Sequence, residues 1–117
     1  MLQFICYPKC TTCQKARKWL EAEGCEFTER HIKEDNPSRQ ELEQWQEKSG
    51  LPLRRFFNTS GQLYRSLGLK DKLDTMSRDD QLELLSGDGM LVKRPLLIGE
   101  GCVLVGFKED EWREALK

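Results

Sequence analysis

The chain is short of several things that mark large classes of protein, and each shortage closes off a function. No apolar run approaches the roughly 20 residues that cross a bilayer as a helix, so no membrane span is expected. Basic side chains number 19 and acidic ones 20 among 117 residues, for a formal charge of −1. That balance lacks the basic excess of a direct nucleic-acid binder and the acidic excess of a solvating tail. There is one histidine, His31. With no acidic or thiol partner at catalytic spacing, it reads as a surface or strand-end residue rather than a general base. No secretory leader is expected either, because Lys9, Lys15, Arg17 and Lys18 follow the apolar Met1 to Cys6 too soon for an h-region and cleavage site. The expected compartment is the cytoplasm.

What remains suits one folded domain over residues 1–117. Apolar residues make up 38% and charged ones 33%, which is polar for a globular protein but not depleted enough for disorder. Cysteine is the unusual ingredient: there are five, an odd number and too sparse for a disulfide-stapled secreted mini-protein. Where thiols stay reduced, clustered cysteines are more often catalytic or metal-binding than structural.

Leu2 to Tyr7 is an apolar run stopped by Pro8 and reads as a buried strand. From Thr11 the apolar residues Cys13, Ala16 and Leu20 recur at helical spacing, widened by Trp19 and Ala22, and Gly24 supplies a stop. Cys25 to Ile32 fits a second strand, which completes a βαβ unit. Asn36-Pro37-Ser38 then breaks the chain. Ser38 with Glu41 forms a capping box for a helix through about Lys48, ended by Gly50 and Pro52. Short helical pieces follow with Gly68 as a cap, then a helix started by Ser77 and Asp80 that carries Leu82, Leu84 and Leu85. Leu96–Ile98 and Cys102–Val105, separated by Gly99-Glu100-Gly101, predict a β-hairpin, and Lys108–Lys117 a closing helix with Trp112, Ala115 and Leu116 inward. The expected fold is therefore α/β: a mixed sheet flanked by helices, with a helical insert at about 38–90 between βαβ and ββα halves.

Cys10-Thr11-Thr12-Cys13 lies where the first strand meets the first helix. Two intervening residues at a helix start bring both sulfurs within disulfide reach, and the free N–H groups there stabilise a thiolate on the first. Lys9, Lys15 and Arg17 are expected to depress the Cys10 pKa further. Cys10 is thus the expected nucleophile, and Cys13, on the apolar stripe, the resolving thiol. A lone CxxC is also half a zinc site, but Cys6, Cys25, His31 and Cys102 are scattered and provide no second ligand pair, so no metal is expected. Those three other cysteines read as small core hydrophobes, and Trp19, Trp45 and Trp112 as packing anchors. Thr11, Thr12 and Asn58 are candidates for loop or oxyanion hydrogen bonds. In Lys93-Arg94-Pro95, the proline precedes an apolar strand, where its missing donor is tolerated and a cis bond is an option. Arg94 is then either a solvated strand-entry residue or a guanidinium placed near the thiolate, where it could hold an oxyanion.

The stretches YPKCTTCQKARKWL, FFNTSGQLYRSLGL, MLVKRPLLI and VGFKEDEWREAL together resemble the arsenate reductase-like (ArsC) family of thioredoxin-fold proteins, which includes the Spx-type regulators. The resemblance spans essentially the whole chain. It implies a thioredoxin-like sheet, Cys10 as the catalytic thiol, Pro95 as a cis-proline facing it and Arg94 as the arginine beside it. It also implies no bound cofactor, with a thiol reductant (glutathione with glutaredoxin, or thioredoxin) as electron donor and a redox protein or small oxidised molecule as substrate. Two departures stand out. Glutaredoxin-dependent arsenate reductases carry a single loop cysteine and three arginines. Here the loop is CTTC, the insert arginine falls at about Asn58, and the one after the hairpin falls within Val105-Gly106-Phe107. Arg54 and Arg55 are the nearby substitutes. Losing two charge-assisted contacts is expected to weaken an arsenate grip. Spx-type regulators have the CxxC as a redox switch and bind RNA polymerase, which makes that polymerase the alternative partner.

Overall fold

A computed structural model describes residues 2–116. Strand β1 (Leu2–Cys6) runs parallel to β2 (Phe27–His31), and β3 (Leu96–Ile98) pairs antiparallel with β1 and with β4 (Val103–Val105). The sheet order is β2-β1-β3-β4, so β1, which leads into the CxxC, is central and both chain halves meet on it. The β-α-β, helices, β-β-α order read from the sequence is the order observed, and the thioredoxin-like mixed sheet flanked by helices is the fold.

Side chains alternate across a strand, and that alternation divides the core in two. Phe4, Cys6 and Leu97 face helices α1 (Thr11–Ala22) and α6 (Glu109–Ala115), where they pack with Cys13, Ala16, Leu20 and Trp112. Ile5 and Leu96 face the insert, where Leu42, Trp45, Phe56, Phe57, Leu82 and Leu85 form the larger cluster. The insert comprises α2 (Arg39–Ser49), α3 (Gln62–Ser66), α4 (Leu69–Lys72) and α5 (Arg78–Gly87), joined by short 3-10 turns. The capping box at α2 is closed on both sides: Glu41 N donates to Ser38 Oγ (3.1 Å) and Ser38 N to Glu41 Oε1 (3.0 Å). Arg30 of β2 grips the same Glu41 with two hydrogen bonds (2.7 and 2.9 Å), which fastens the insert to the edge of the sheet.

Several sequence expectations need correction. β2 starts at Phe27 rather than Cys25, because Cys25 N donates to Leu20 O (3.0 Å) and Gly24 N to Glu21 O (3.1 Å). These two bonds and the left-handed Gly24 (φ 71°) close α1 in a Schellman turn. The hairpin loop holds four residues, since Ile98 pairs with Val103 and Gly99 N donates to Cys102 O (2.9 Å). Cys102 therefore sits half-buried in the turn, and Cys25 half-buried beside the α1 cluster; only Cys6 of the three is a full core residue. Ala22 and Ala115 are exposed. Their places against the sheet are taken by Trp19, Phe107 and Trp112, whose ring centroids lie 4.9–6.2 Å apart. Lys117, the last residue of the expected closing helix, lies outside the described residues. Among the described residues no helix is long and apolar enough to cross a membrane.

Candidate active site

Cys10 is the N-cap of α1, with extended backbone (φ −85°, ψ 123°), and its carbonyl accepts the first helical bond from Gln14 N at 3.0 Å. The loop before it is short and tied: Cys10 N donates to Tyr7 O (2.9 Å) and Gln14 Nε2 to Pro8 O (3.0 Å). At such a position the side chain usually supplies an oxygen to the free N–H groups of the first turn. Here it supplies sulfur, so those donors stabilise a thiolate instead.

The two thiols of the motif are driven in opposite directions. Partial burial alone would raise Cys10, but the N–H of Cys13, the Arg94 guanidinium, the Cys13 thiol and the N–H of Thr12 outweigh it and hold Cys10 below the ordinary thiol value. Cys13, 2% exposed, is pushed up to about 12 by burial and by the neighbouring Cys10 charge, against a hydrogen bond from Tyr7 N to its Sγ at 3.5 Å. Both are free thiols, and so is every other cysteine.

Arg94 reaches the thiol from the far side of the chain. Its guanidinium lies 5.0 Å from the centroid of the Tyr7 ring, and its Nη1 donates to Met90 Sδ at 3.8 Å. Tyr7 in turn meets His31 edge-on at 5.7 Å. The Arg94–Pro95 peptide bond is cis, Pro95 is buried, and Pro95 O accepts from Gly106 N at 2.8 Å. Gly106 (φ 76°) also accepts at its carbonyl from Trp112 Nε1 (3.0 Å), so one residue joins the Arg94 loop to α6.

Cys10 opens into a cleft of about 660 Å³. Thr12, Asn58 and Arg94 line it, as anticipated, and so does Arg55. Lys93, Lys108, Ser60 and Phe107 also line it and were not singled out from sequence. Four cationic side chains, Arg55, Lys93, Arg94 and Lys108, thus line the cleft into which Cys10 opens, with no carboxylate in the lining. Asn58 is buried and fixed by its backbone, N to Leu91 O (2.7 Å) and O from Gly61 N (3.0 Å), while Ser60 Oγ donates to its Oδ1 (3.4 Å). Gly61 belongs beside it, because an added Cβ would come within 2.7 Å of Asn58 Nδ2.

Other expected contributors lie elsewhere. Thr11 is exposed and outside the cleft. Lys9 lines a separate groove with His31 and Lys33. Arg17 is paired with Glu29 at 2.7 Å and lies beside Cys6, not Cys10, and Arg54 is paired with Asp74 at 2.6 Å. Lys15 is exposed on α1 and outside the cleft lining.

A CxxC at the N-terminus of α1, a cis-proline loop carrying arginine and a helical insert between two sheet halves make a specific combination, and the family model for ArsC matches residues 6–115. The chain belongs to the ArsC family. It is 59% identical over 113 residues to YusI of Bacillus subtilis (strain 168), covering 97% of this chain and 96% of that one. It is 33% identical to the global transcriptional regulator Spx of Enterococcus faecalis, over 99% of this chain and 86% of Spx. Among solved structures, an ArsC family related protein from Bacteroides fragilis superposes with a TM-score of 0.94 at 51% identity, over 97% of this chain and 95% of that one.

Proposed function

We propose that this ArsC-family chain is a cytoplasmic thiol–disulfide oxidoreductase that works without a bound cofactor. The observation that carries the reading is the placement of the CxxC at the start of α1, with Cys10 open to a cationic cleft and held low while Cys13 is buried behind it and pushed up. Cys10 thiolate attacks one sulfur of a disulfide substrate, forming a mixed disulfide and expelling the other sulfur as a thiolate. Arg94 and the N-terminus of α1 stabilise negative charge on the sulfurs during the exchange. Once Cys10 is covalently occupied, its charge and its hydrogen bond from Cys13 are gone. Two of the influences that keep Cys13 protonated vanish with them. Cys13 then loses its proton and attacks Cys10 Sγ, which releases the reduced substrate and leaves a Cys10–Cys13 disulfide. An external thiol reductant, either glutathione with glutaredoxin or thioredoxin, returns the pair to the dithiol.

The test is turnover of a disulfide substrate coupled to thioredoxin, glutaredoxin or glutathione, with and without arsenate, together with the pH profile of Cys10 alkylation. The expected results are a Cys10 titration below the ordinary thiol range, a reducible Cys10–Cys13 disulfide, and loss of roughly 10³-fold or more in turnover for Cys10→Ser. Arsenate is expected to be a poor substrate. An ordinary Cys10 titration with no reducible disulfide overturns the reading. The identity to Spx supports a second reading, in which the same disulfide changes affinity for a protein partner such as RNA polymerase. Pull-downs from reduced and oxidised lysate separate the two, since only the second requires a redox-dependent partner.

A further inference from the structure

Cys6 is a thiol that the reaction above leaves unused, and it lies directly behind the resolving cysteine. It ends β1 on the α1 side of the sheet, is 1% exposed, and packs in the same cluster as Cys13. Cys13 Sγ is 3.5 Å from Tyr7 N, the atom joined to the Cys6 carbonyl carbon. Standard bond lengths then place that sulfur within about 6 Å of Cys6 Cα, so the two cysteines are packing neighbours in one cluster and a side-chain rotation is what separates them from a disulfide. Cys6 has a cation of its own. Arg17 lies beside it, anchored by Glu29 at 2.7 Å, and Arg17 Nε is buried with no hydrogen-bond partner. A buried guanidinium donor without an acceptor, next to a thiol, is positioned to stabilise that thiol's anion.

We propose that Cys6 is a third redox thiol, which takes over the disulfide from the outer pair to give an inner Cys6–Cys13 bond and free Cys10. The proposal rests on the Cys10–Cys13 disulfide of the proposed function. Cys6, having lost its proton to solvent, attacks Cys13 Sγ of that disulfide. The Cys6–Cys13 bond forms, the Cys10–Cys13 bond breaks, and Cys10 leaves as a thiolate. One disulfide replaces another, so no external oxidant or reductant is consumed. Attack at Cys13 rather than at Cys10 expels the better leaving group, the thiolate already stabilised by Arg94 and the start of α1. In the dithiol protein, burial, Glu29 and the Cys10 charge keep Cys6 protonated, with Arg17 acting against them. Only after the outer pair has been oxidised does Cys6 have a disulfide to attack, and closing that bond also removes the Cys10 charge, the smallest of the influences on Cys6. The inner disulfide is therefore the product of sustained oxidation, and in it the surface nucleophile is free while its resolving partner is locked away.

Disulfide mapping of the full chain tests this directly. Trypsin cuts after Lys9 and Lys15, so Cys10 and Cys13 share one peptide and Cys6 lies on another. The outer bond is thus internal to a peptide, whereas the inner bond joins two. Protein treated with diamide is quenched in acid over a time course, alkylated with iodoacetamide and mapped by mass spectrometry. The outer bond is expected first, followed by growth of the joined Cys6–Cys13 peptides as Cys10 regains alkylation. In Cys10→Ser, which lacks the outer disulfide from which the inner one is exchanged, the joined peptides are expected to form far more slowly than in the wild type, leaving Cys6 and Cys13 reduced. In Cys6→Ala the outer bond forms and Cys10 stays blocked. Cys6 remaining alkylatable throughout in the wild type, or joined Cys6–Cys13 peptides forming in Cys10→Ser as fast as in the wild type, overturns the exchange and leaves the proposed function standing. Failure of the outer bond in the wild type overturns both. The wild-type time course decides the matter by itself if either variant misfolds.

Discussion

Arg39, Arg54 and Arg78 of the helical insert end on carboxylates, whereas the arginines that line the thiol cleft do not. Arg39 pairs with Asp79 (2.7 Å) and Glu83 (2.6 Å), Arg54 with Asp74 (2.6 Å), and Arg78 with Glu47 (3.5 Å). In the cleft, Arg55, Lys93 and Arg94 form no ion pair among the described residues, and Lys108 has only a 3.6 Å contact with Glu111. The contrast shows how a chain with almost no net charge carries a positive site: no carboxylate lines the cleft, while carboxylates elsewhere neutralise arginines on the insert. Neutralised arginines there are scaffold, each worth at most about 1 kcal/mol. Of the unneutralised ones in the cleft, Arg94 holds the Cys10 sulfur, and Arg55 is free to meet a negatively charged substrate.

The largest effects should come from the two cores beneath these surfaces. Trp112→Ala and Phe56→Ala each remove a fully buried ring and should cost about 3–5 kcal/mol in urea unfolding. Only the first should also disturb Cys10 alkylation, because Trp112 holds Gly106 at the cleft wall. Equal disturbance by both would erase the division between the regions. Next in size, Arg94→Leu should raise the Cys10 pKa toward the ordinary range and slow its alkylation at pH 6.5 by roughly 3- to 10-fold, with partial rescue by Arg94→Lys. Arg39→Leu should leave that rate unchanged and cost under about 1 kcal/mol. The smallest differences should appear in the pH dependence of stability. Hydrogen bonds from Arg30, followed by that from Ser38 N, hold Glu41 at about 2, below its unfolded value. Its contribution is therefore present above roughly pH 4.3 and lost as pH falls toward 2. Cys13 at about 12 lies above its unfolded value, so its contribution is present below roughly pH 8.5 and lost as pH rises toward 12. Urea midpoints should show Glu41→Gln flattening the acid limb and Cys13→Ala the alkaline limb, and the reverse assignment would refute both.

The elements near the thiol could be read from the sequence because their signals are local. The Leu2–Tyr7 run, the Cys13-Ala16-Leu20 stripe and the Ser38/Glu41 box each depend on spacing within one segment, and each formed as read. The electrostatics of the site could not be read in the same way. Lys9, Lys15 and Arg17 are close to Cys10 in sequence, yet α1 carries Arg17 to Glu29 and the loop turns Lys9 toward His31. The cleft cations Arg55, Lys93 and Lys108 arrive instead from three distant loops that only the folded sheet brings together. Ala22 and Ala115 failed for a related reason: a stripe gives the direction a residue faces, but not whether a larger ring from another segment has already taken the space.

Gly106 donates its N–H to the carbonyl of Pro95, accepts from the Trp112 indole, and lines the cleft beside Lys93. The last helix is therefore a lever whose short arm touches the wall of the thiol cleft. Whatever tugs on α6, whether a fused tag, a docked protein or a crosslink, can be transmitted to Arg94 through two hydrogen bonds and one residue, and the reactivity of a cysteine near the chain's start becomes a gauge of strain applied at its end.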